Sequence, residues 1–124
     1  MEIVAKSQVR VAPRKVRLVA DAIRSMGMEQ ALNSLTVIKN RGSVVLEKTL
    51  KSAVANAINN NKLKRESLKI KSILVTEAPS YKRFHPSTRG RVHPYKRRGS
   101  HVTIVLESKT QDVLVEKPRK EEKK

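Results

Sequence analysis

The chain has 124 residues, with 28 Lys and Arg against 11 Asp and Glu, a formal net charge of +17 and a pI near 10.8. It has no cysteine, which excludes disulfides and thiolate metal sites, and no run near the roughly 18 apolar residues of a membrane span. The excess of positive charge predicts a polyanionic partner, either nucleic acid or an anionic membrane.

The first residues, "MEIVAKSQVRVAPRK", lack the apolar core of a signal peptide, so we expect a soluble intracellular protein. Within them "EIVAKSQVRV" is a candidate strand. The first predicted helix follows, with Pro13 near its first turn and Gly27 expected at its C-cap. Its apolar stripe at i, i+3, i+4 and i+7 is Val16, Val19, Ala20 and Ile23, and its opposite face carries Arg14, Arg17 and Arg24.

Two more helices are predicted before residue 61. The shorter one has an apolar stripe of Met28, Ala31, Leu32, Leu35 and Ile38. The longer one begins near Asn40 or Ser43 and ends at "NNNK", a run of residues that favour turns. Its predicted apolar face comprises Leu46, Leu50, Ala53, Val54, Ala57 and Ile58.

Strand-like runs replace the helical period after residue 67. "LKIKSILVTEA" and "SHVTIVLES" are rich in β-branched residues, and we expect them to pair as a long hairpin centred near Gly90. In the first run the apolar positions change parity between Ile70 and Ile73, which predicts a bulge or a fully covered strand. In the second run Val102, Ile104 and Leu106 share one face.

One domain is expected over residues 1–116, with the hairpin at about 77–106. "QDVLV" continues or extends the last strand, and residues 117–124 are expected to form a charged, solvated tail. Arms of ten or so residues at about 3.3 Å each reach roughly 30 to 35 Å, so much of the hairpin must stand clear of the core.

The hairpin holds every aromatic residue of the chain, Tyr81, Phe84 and Tyr95, interleaved with Lys and Arg and with no acid between Glu77 and Glu107. Cations neutralise phosphates, and aromatic or Arg planes stack on exposed bases, so this pattern favours RNA binding. A second basic patch on the first helix contains Arg14, Lys15, Arg17 and Arg24, where solvation alone and phosphate contact are equally good interpretations.

Neither catalysis nor metal binding is predicted. The only aspartates, Asp21 and Asp112, lie in different elements, and no Ser, His and carboxylate grouping is recognisable. His85, His93 and His101 lack the close spacing and the acidic or thiolate ligand typical of zinc sites, so we expect neither metal nor cofactor. Two alternatives to an RNA-binding structural protein remain: a free-standing nucleic-acid-binding regulator and a cationic membrane-surface protein.

Three stretches together resemble one family, the bacterial form of large ribosomal subunit protein twenty-two. They are "KVRLVADAIR", "LKSAVANAINN" and "EAPSYKRFHPSTRGRVHPYKRRGSHVTIVL", and the similarity extends from Ile3 to about Val113. The resemblance implies an α+β fold in which three helices pack on a small three-stranded antiparallel sheet with a long protruding β-hairpin. It also implies a non-enzymatic constituent of the large subunit, in the cytoplasm within the ribosome.

The family further implies a body near the exit of the nascent-peptide tunnel and a hairpin whose tip lines that tunnel. Its members bridge rRNA domains during assembly, and changes in their hairpin affect macrolide sensitivity. The implied partners are rRNA, neighbouring large-subunit proteins and the nascent peptide, without homo-oligomers.

The residues expected to contact rRNA combine the cationic and aromatic positions with those that match the family. They are Arg14, Lys15, Arg17, Tyr81, Lys82, Arg83, Phe84, His85, Tyr95, Lys96, Arg97, Arg98, Ser100 and His101. The expected tunnel tip is Ser87, Thr88, Arg89, Gly90, Arg91, Val92 and His93. Family members often carry Ala and further basic residues beside the tip glycine, so Ser87, Thr88, Val92, His93 and Pro94 make this tip less cationic and stiffer.

Overall fold

The computed structural model describes residues 1–108 and confirms the predicted α+β architecture of three helices and a three-stranded antiparallel sheet. The elements in chain order are β1 (Glu2–Val9), α1 (Pro13–Ile23), α2 (Met28–Val37), α3 (Arg41–Asn59), β2 (Leu68–Pro86) and β3 (Val92–Ser108). The predicted strand extension at 111–115 and the tail at 117–124 lie outside the described residues.

The sheet has the order β1-β3-β2, so the central strand is the last one in the chain. Val102, Ile104 and Leu106 of β3 are fully buried, which confirms their predicted common face. The predicted bulge is present, because the pairing of β2 with β3 shifts register between Ile70 and Ser72. This shift keeps the apolar residues on both sides of it turned towards the helices.

The helices cover one face of the sheet. All four predicted stripe residues of α1 are buried, and the capping box of Asn40 and Ser43 fixes the start of α3. Two predictions at helix ends are wrong. Gly27 is the N-cap of α2, since α1 already ends at Ile23. Ile58 is 42% exposed, because the last turn of α3 extends past the core that buries Ala57.

Gly42 sets the distance between α1 and α3. A Cβ built on it would lie 3.0 Å from the Lys15 carbonyl oxygen and 3.3 Å from the Val16 Cα, so a larger residue would push the two backbones apart by a few tenths of an ångström. The start of α3 therefore lies against the first turn of α1. The close packing of α1 against α3 also brings Arg41 towards the end of β1, where the hairpin leaves the sheet.

Candidate nucleic-acid interface

The hairpin extends beyond the sheet as a two-stranded ribbon, defined here as Ala78–Pro86, the tip, and Val92–Gly99. The last residue pair between β1 and β3 is Val9 with Ser100, so the ribbon arms pair only with each other. Eight residues at about 3.3 Å each give a projection of roughly 26 Å. The ribbon carries seven Lys and Arg and no acid, which makes it strongly cationic.

A second bulge lies at the root of the ribbon. Ala78 pairs with Gly99, but the next pair is Tyr81 with Arg97, so Pro79 and Ser80 together oppose the single residue Arg98. A bulge bends its strand and re-aims the side chains that follow it.

Side chains alternate between the two faces of the ribbon beyond this bulge, and cross-strand partners share a face. One face, which we name the aromatic face, carries Tyr81, Arg83, His85, His93, Tyr95 and Arg97. The other, the lysine face, carries Lys82, Phe84, Pro86, Val92, Pro94 and Lys96. The ribbon thus has two surfaces of different chemistry.

Two of the three aromatic rings have partners inside the protein. The rings of His85 and Tyr95 stack with centroids 4.3 Å apart and planes 16° apart. The guanidinium carbons of Arg10 and Arg83 lie 5.6 and 5.7 Å from the centre of the Tyr81 ring, within cation–π range. Phe84 is 66% exposed and is the most open of the three rings to a stacking base.

The tip is a tight turn in which the Arg91 amide donates to the Thr88 carbonyl at 3.3 Å, and the Ser87 amide donates to the Arg91 carbonyl at 2.8 Å. Arg89 and Gly90 have φ of 58° and 68°, as the central positions of a type I′ turn require. All the predicted tip residues, 87–93, are exposed. The arms pair symmetrically about Arg89, so the hairpin is centred near Gly90, as predicted.

The predicted patch on α1 divides into two parts. Arg14 and Lys15 are exposed. Arg17 donates through Nε and Nη2 to the Val75 carbonyl, both at 3.2 Å, and Arg24 donates to the Ile73 carbonyl at 3.2 Å. These two arginines thus satisfy carbonyls on the outer edge of β2, a structural task that the helical pattern alone could not indicate.

Ser100 and His101 lie where the ribbon joins the sheet. Ser100 is fully buried, and its hydroxyl donates to the Val11 carbonyl at 3.0 Å. His101 is half-buried on the sheet face opposite the helices, between Gln8 and Thr76.

The body and the ribbon differ in their charge balance. Ion pairs on the body join Arg24 with Asp21, Lys51 with Glu47 and Lys71 with Glu2. The hydrogen bond and charge of Lys71 lower the pKa of the Glu2 carboxyl, while those of Glu2 raise the pKa of the Lys71 ammonium. The ribbon cations have no such carboxylate partners in the described part of the chain, so a polyanion can take that place.

The sequence interpretation missed two residues that belong to this interface, Arg10 and Arg41. They come from the loop after β1 and from the first residue of α3, yet both line a cleft at the ribbon root with Tyr81. No local motif marks them, because only the packing of α3 against α1 brings them together.

Metal binding and membrane spanning find no support in the described residues. Between Met1 and Ser108, no three His, Asp or Glu side chains are grouped so that they could hold a metal ion. No helix in that range is long and apolar enough to cross a membrane.

The comparisons with known proteins all point to one family. The model of the family "Ribosomal protein L22p/L17e" matches residues 4–107. The "Large ribosomal subunit protein uL22" of Thermus thermophilus is 45% identical over 101 residues, which is 82% of this chain and 89% of that protein. The protein of the same name from Pediococcus pentosaceus is 46% identical over 101 residues, covering 82% and 86%. That from Mycoplasma capricolum is 44% identical over 107 residues, covering 86% and 96%.

Proposed function

Because the chain belongs to the ribosomal protein L22p/L17e family, we propose that its ribbon binds ribosomal RNA and bridges rRNA domains during assembly of the large subunit. The chain is a structural, non-enzymatic constituent of that subunit, within the ribosome in the cytoplasm. The observation that supports RNA binding most strongly is the ribbon itself, which projects past the end of β1 and carries seven cations and no acid.

The lysine face carries a pair of neighbouring lysines that a bound anion would stabilise. Lys82 and Lys96 are direct cross-strand partners, and like charges in that position repel each other and destabilise the pair. RNA phosphates beside the two ammonium groups would offset this repulsion with attraction. On the other face the arginines and the stacked pair of His85 and Tyr95 would contact phosphates and base planes.

The remaining predicted contacts take different parts. Arg14 and Lys15 are open to a phosphate, and Arg17 keeps donors to spare beyond its bonds to Val75. His101 retains partial exposure. Ser100 has no exposed surface and its hydroxyl is already used, so it holds the ribbon arm in place rather than contacting RNA.

The tip extends the proposal to the nascent peptide. Residues 87–93 stand at the far end of the ribbon, and we expect them to line the peptide exit tunnel and to influence macrolide sensitivity there. Arg89 and Arg91 are the cations of this segment. The body then remains near the tunnel exit, where neighbouring large-subunit proteins are its partners, and the chain acts without forming homo-oligomers.

Salt-dependent release from purified large subunits tests the RNA-binding role. The double variant Lys82→Gln/Lys96→Gln should leave the subunit at lower salt than the unchanged chain, because two phosphate contacts are lost. Each lost contact should reduce the slope of log affinity against log salt by about one. The unfolding midpoint of the isolated double variant should equal or exceed that of the unchanged chain, since the cross-strand repulsion is removed.

The matched control is Lys64→Gln/Arg65→Gln, which removes the same charge in the segment between α3 and β2. This pair should be released at the same salt concentration as the unchanged chain. Equal release of both double variants would mean that the ribbon does not hold the RNA. A chain that never sediments with the subunit would contradict the function as a whole.

A further inference from the structure

A cleft of about 290 Å³ opens where the ribbon joins the body. Four separate parts of the chain contribute to it: the loop after β1, the first residue of α3, and both arms of the ribbon. Five of the lining side chains carry a guanidinium group, and one is aromatic. They are Arg10, Arg41, Arg83, Arg97, Arg98 and Tyr81.

The charge of this cleft is not neutralised by the described part of the protein. Among the described residues, none of the five cleft arginines has a carboxylate within 4.0 Å, and the ion pairs of Arg24, Lys51 and Lys71 all lie on the body. Arg41 also stands at the amino end of α3, whose dipole adds further positive potential. Five like charges around one cleft repel each other. An anion that enters the cleft reduces this repulsion and stabilises the arrangement.

Tyr81 gives the cleft its geometry. Two guanidinium groups, those of Arg10 and Arg83, lie 5.6 and 5.7 Å from its ring centre, although the two residues are far apart in sequence. A guanidinium held against a ring keeps N–H donors at its edge, which match the oxygens of a phosphate in bidentate fashion. Arg83 uses Nη1 to donate to the Lys82 carbonyl at 2.8 Å, and its other N–H groups remain for a ligand. The bulge between Ala78 and Tyr81 changes which side of the ribbon the residues after it occupy, and Tyr81 lies on the side that faces Arg10.

We propose that this cleft is a distinct binding site for the phosphates of ribosomal RNA, at a point where more than one backbone phosphate lies within reach. A single phosphodiester would balance one of five charges, whereas a closely folded backbone brings several. This inference rests on the proposed function and adds to it a site at the ribbon root, separate from the arms and the tip. Its key residues, Arg10 and Arg41, lie outside the hairpin.

The test is the salt dependence of binding between the full-length chain and large-subunit rRNA. The variant Arg10→Gln/Arg41→Gln should lower the slope of log affinity against log salt by about 1.4 to 1.8, from roughly 0.7 to 0.9 per lost phosphate contact. Both side chains are exposed and two of five repelling charges are removed, so the thermal unfolding midpoint should stay equal or rise. The control Lys64→Gln/Arg65→Gln, with equal charge loss, should keep the original slope.

Two substitutions of Tyr81 test whether the aromatic ring contributes to rRNA affinity in addition to the positive charges of the cleft. Tyr81→Phe keeps the ring under both guanidinium groups and should keep the affinity. Tyr81→Leu removes the ring and should weaken rRNA binding by roughly two- to fivefold at fixed salt, the fold-change expected for one exposed cation–π contact. Equal affinities of the Phe and Leu variants would overturn the role of the ring.

The outcomes for the site and for the general function can be told apart. If Arg10→Gln/Arg41→Gln keeps the same slope as its control while Lys82→Gln/Lys96→Gln lowers it, the cleft site is wrong and the ribbon function stands. If the unchanged chain does not bind rRNA at all, the proposed function fails, and the cleft site fails with it.

Discussion

Arg89 holds a backbone conformation that costs free energy for a side chain other than glycine or asparagine. Its φ of 58° and ψ of 37° lie in the left-handed region, where the Cβ approaches the following carbonyl at a cost of about 1–2 kcal/mol. Type I′ turns therefore favour Asn-Gly at the two positions that Arg89 and Gly90 occupy here. A strained arginine at the outermost point of the ribbon is consistent with a side chain retained for a contact rather than for the turn.

Replacing Arg89 by asparagine should consequently stabilise the turn. The Ser87 amide, which donates to the Arg91 carbonyl, should exchange with solvent roughly fivefold more slowly for a gain of about 1 kcal/mol. Amide hydrogen exchange of the isolated chain measures this change. Arg91→Asn is the control, because it removes the same charge at an ordinary φ of −76°. Slower exchange in both variants would trace the effect to charge repulsion rather than to strain.

At the scale of elements, α3 connects the core to the cleft. Leu46, Leu50 and Ala53 are fully buried against the sheet, and the first residue of the helix, Arg41, reaches the ribbon root. The helical period alone predicted most of this face. It included Ile58 wrongly, because periodicity identifies a stripe but not the point at which the core below it ends.

Val54 and Ile58 are one turn apart on α3 and form a matched pair for testing this boundary. Val54 is 8% exposed and Ile58 is 42% exposed. Val54→Asp should destabilise the body by about 3–5 kcal/mol, since it leaves a buried charge without a partner. Ile58→Asp places the same charge in solvent and should cost less than about 1 kcal/mol. Urea unfolding followed by circular dichroism gives both values, and similar losses would show that the end of the core is misplaced.

The two bulges of β2 show what a sequence can and cannot reveal about a strand. The bulge near Ile70 was predictable, because apolar residues on both sides of it change parity. The one between Ala78 and Tyr81 was not, since the ribbon has no apolar face to reveal a change of parity. Tyr81 follows this second bulge and lies beside Arg10, so the sequence could not indicate the cleft either.

At the scale of the whole molecule, the chain separates its charges in space. The paired acids lie on a body with an aliphatic core, and the ribbon carries cations alone. The basic aromatic segment and the family match were both evident in the sequence. The contribution of Arg10 and Arg41 was not, because residues 31 positions apart meet only through the packing of α1 against α3.

A density map of the large subunit containing this chain tests the central claim most directly, namely that the ribbon is the part of the protein that enters the RNA. The account predicts rRNA on both faces of residues 78–99, phosphates in the cleft at Arg10 and Arg41, and the turn at Arg89 and Gly90 beside the peptide tunnel. A map in which the body alone contacts the subunit and the ribbon extends into solvent would contradict it.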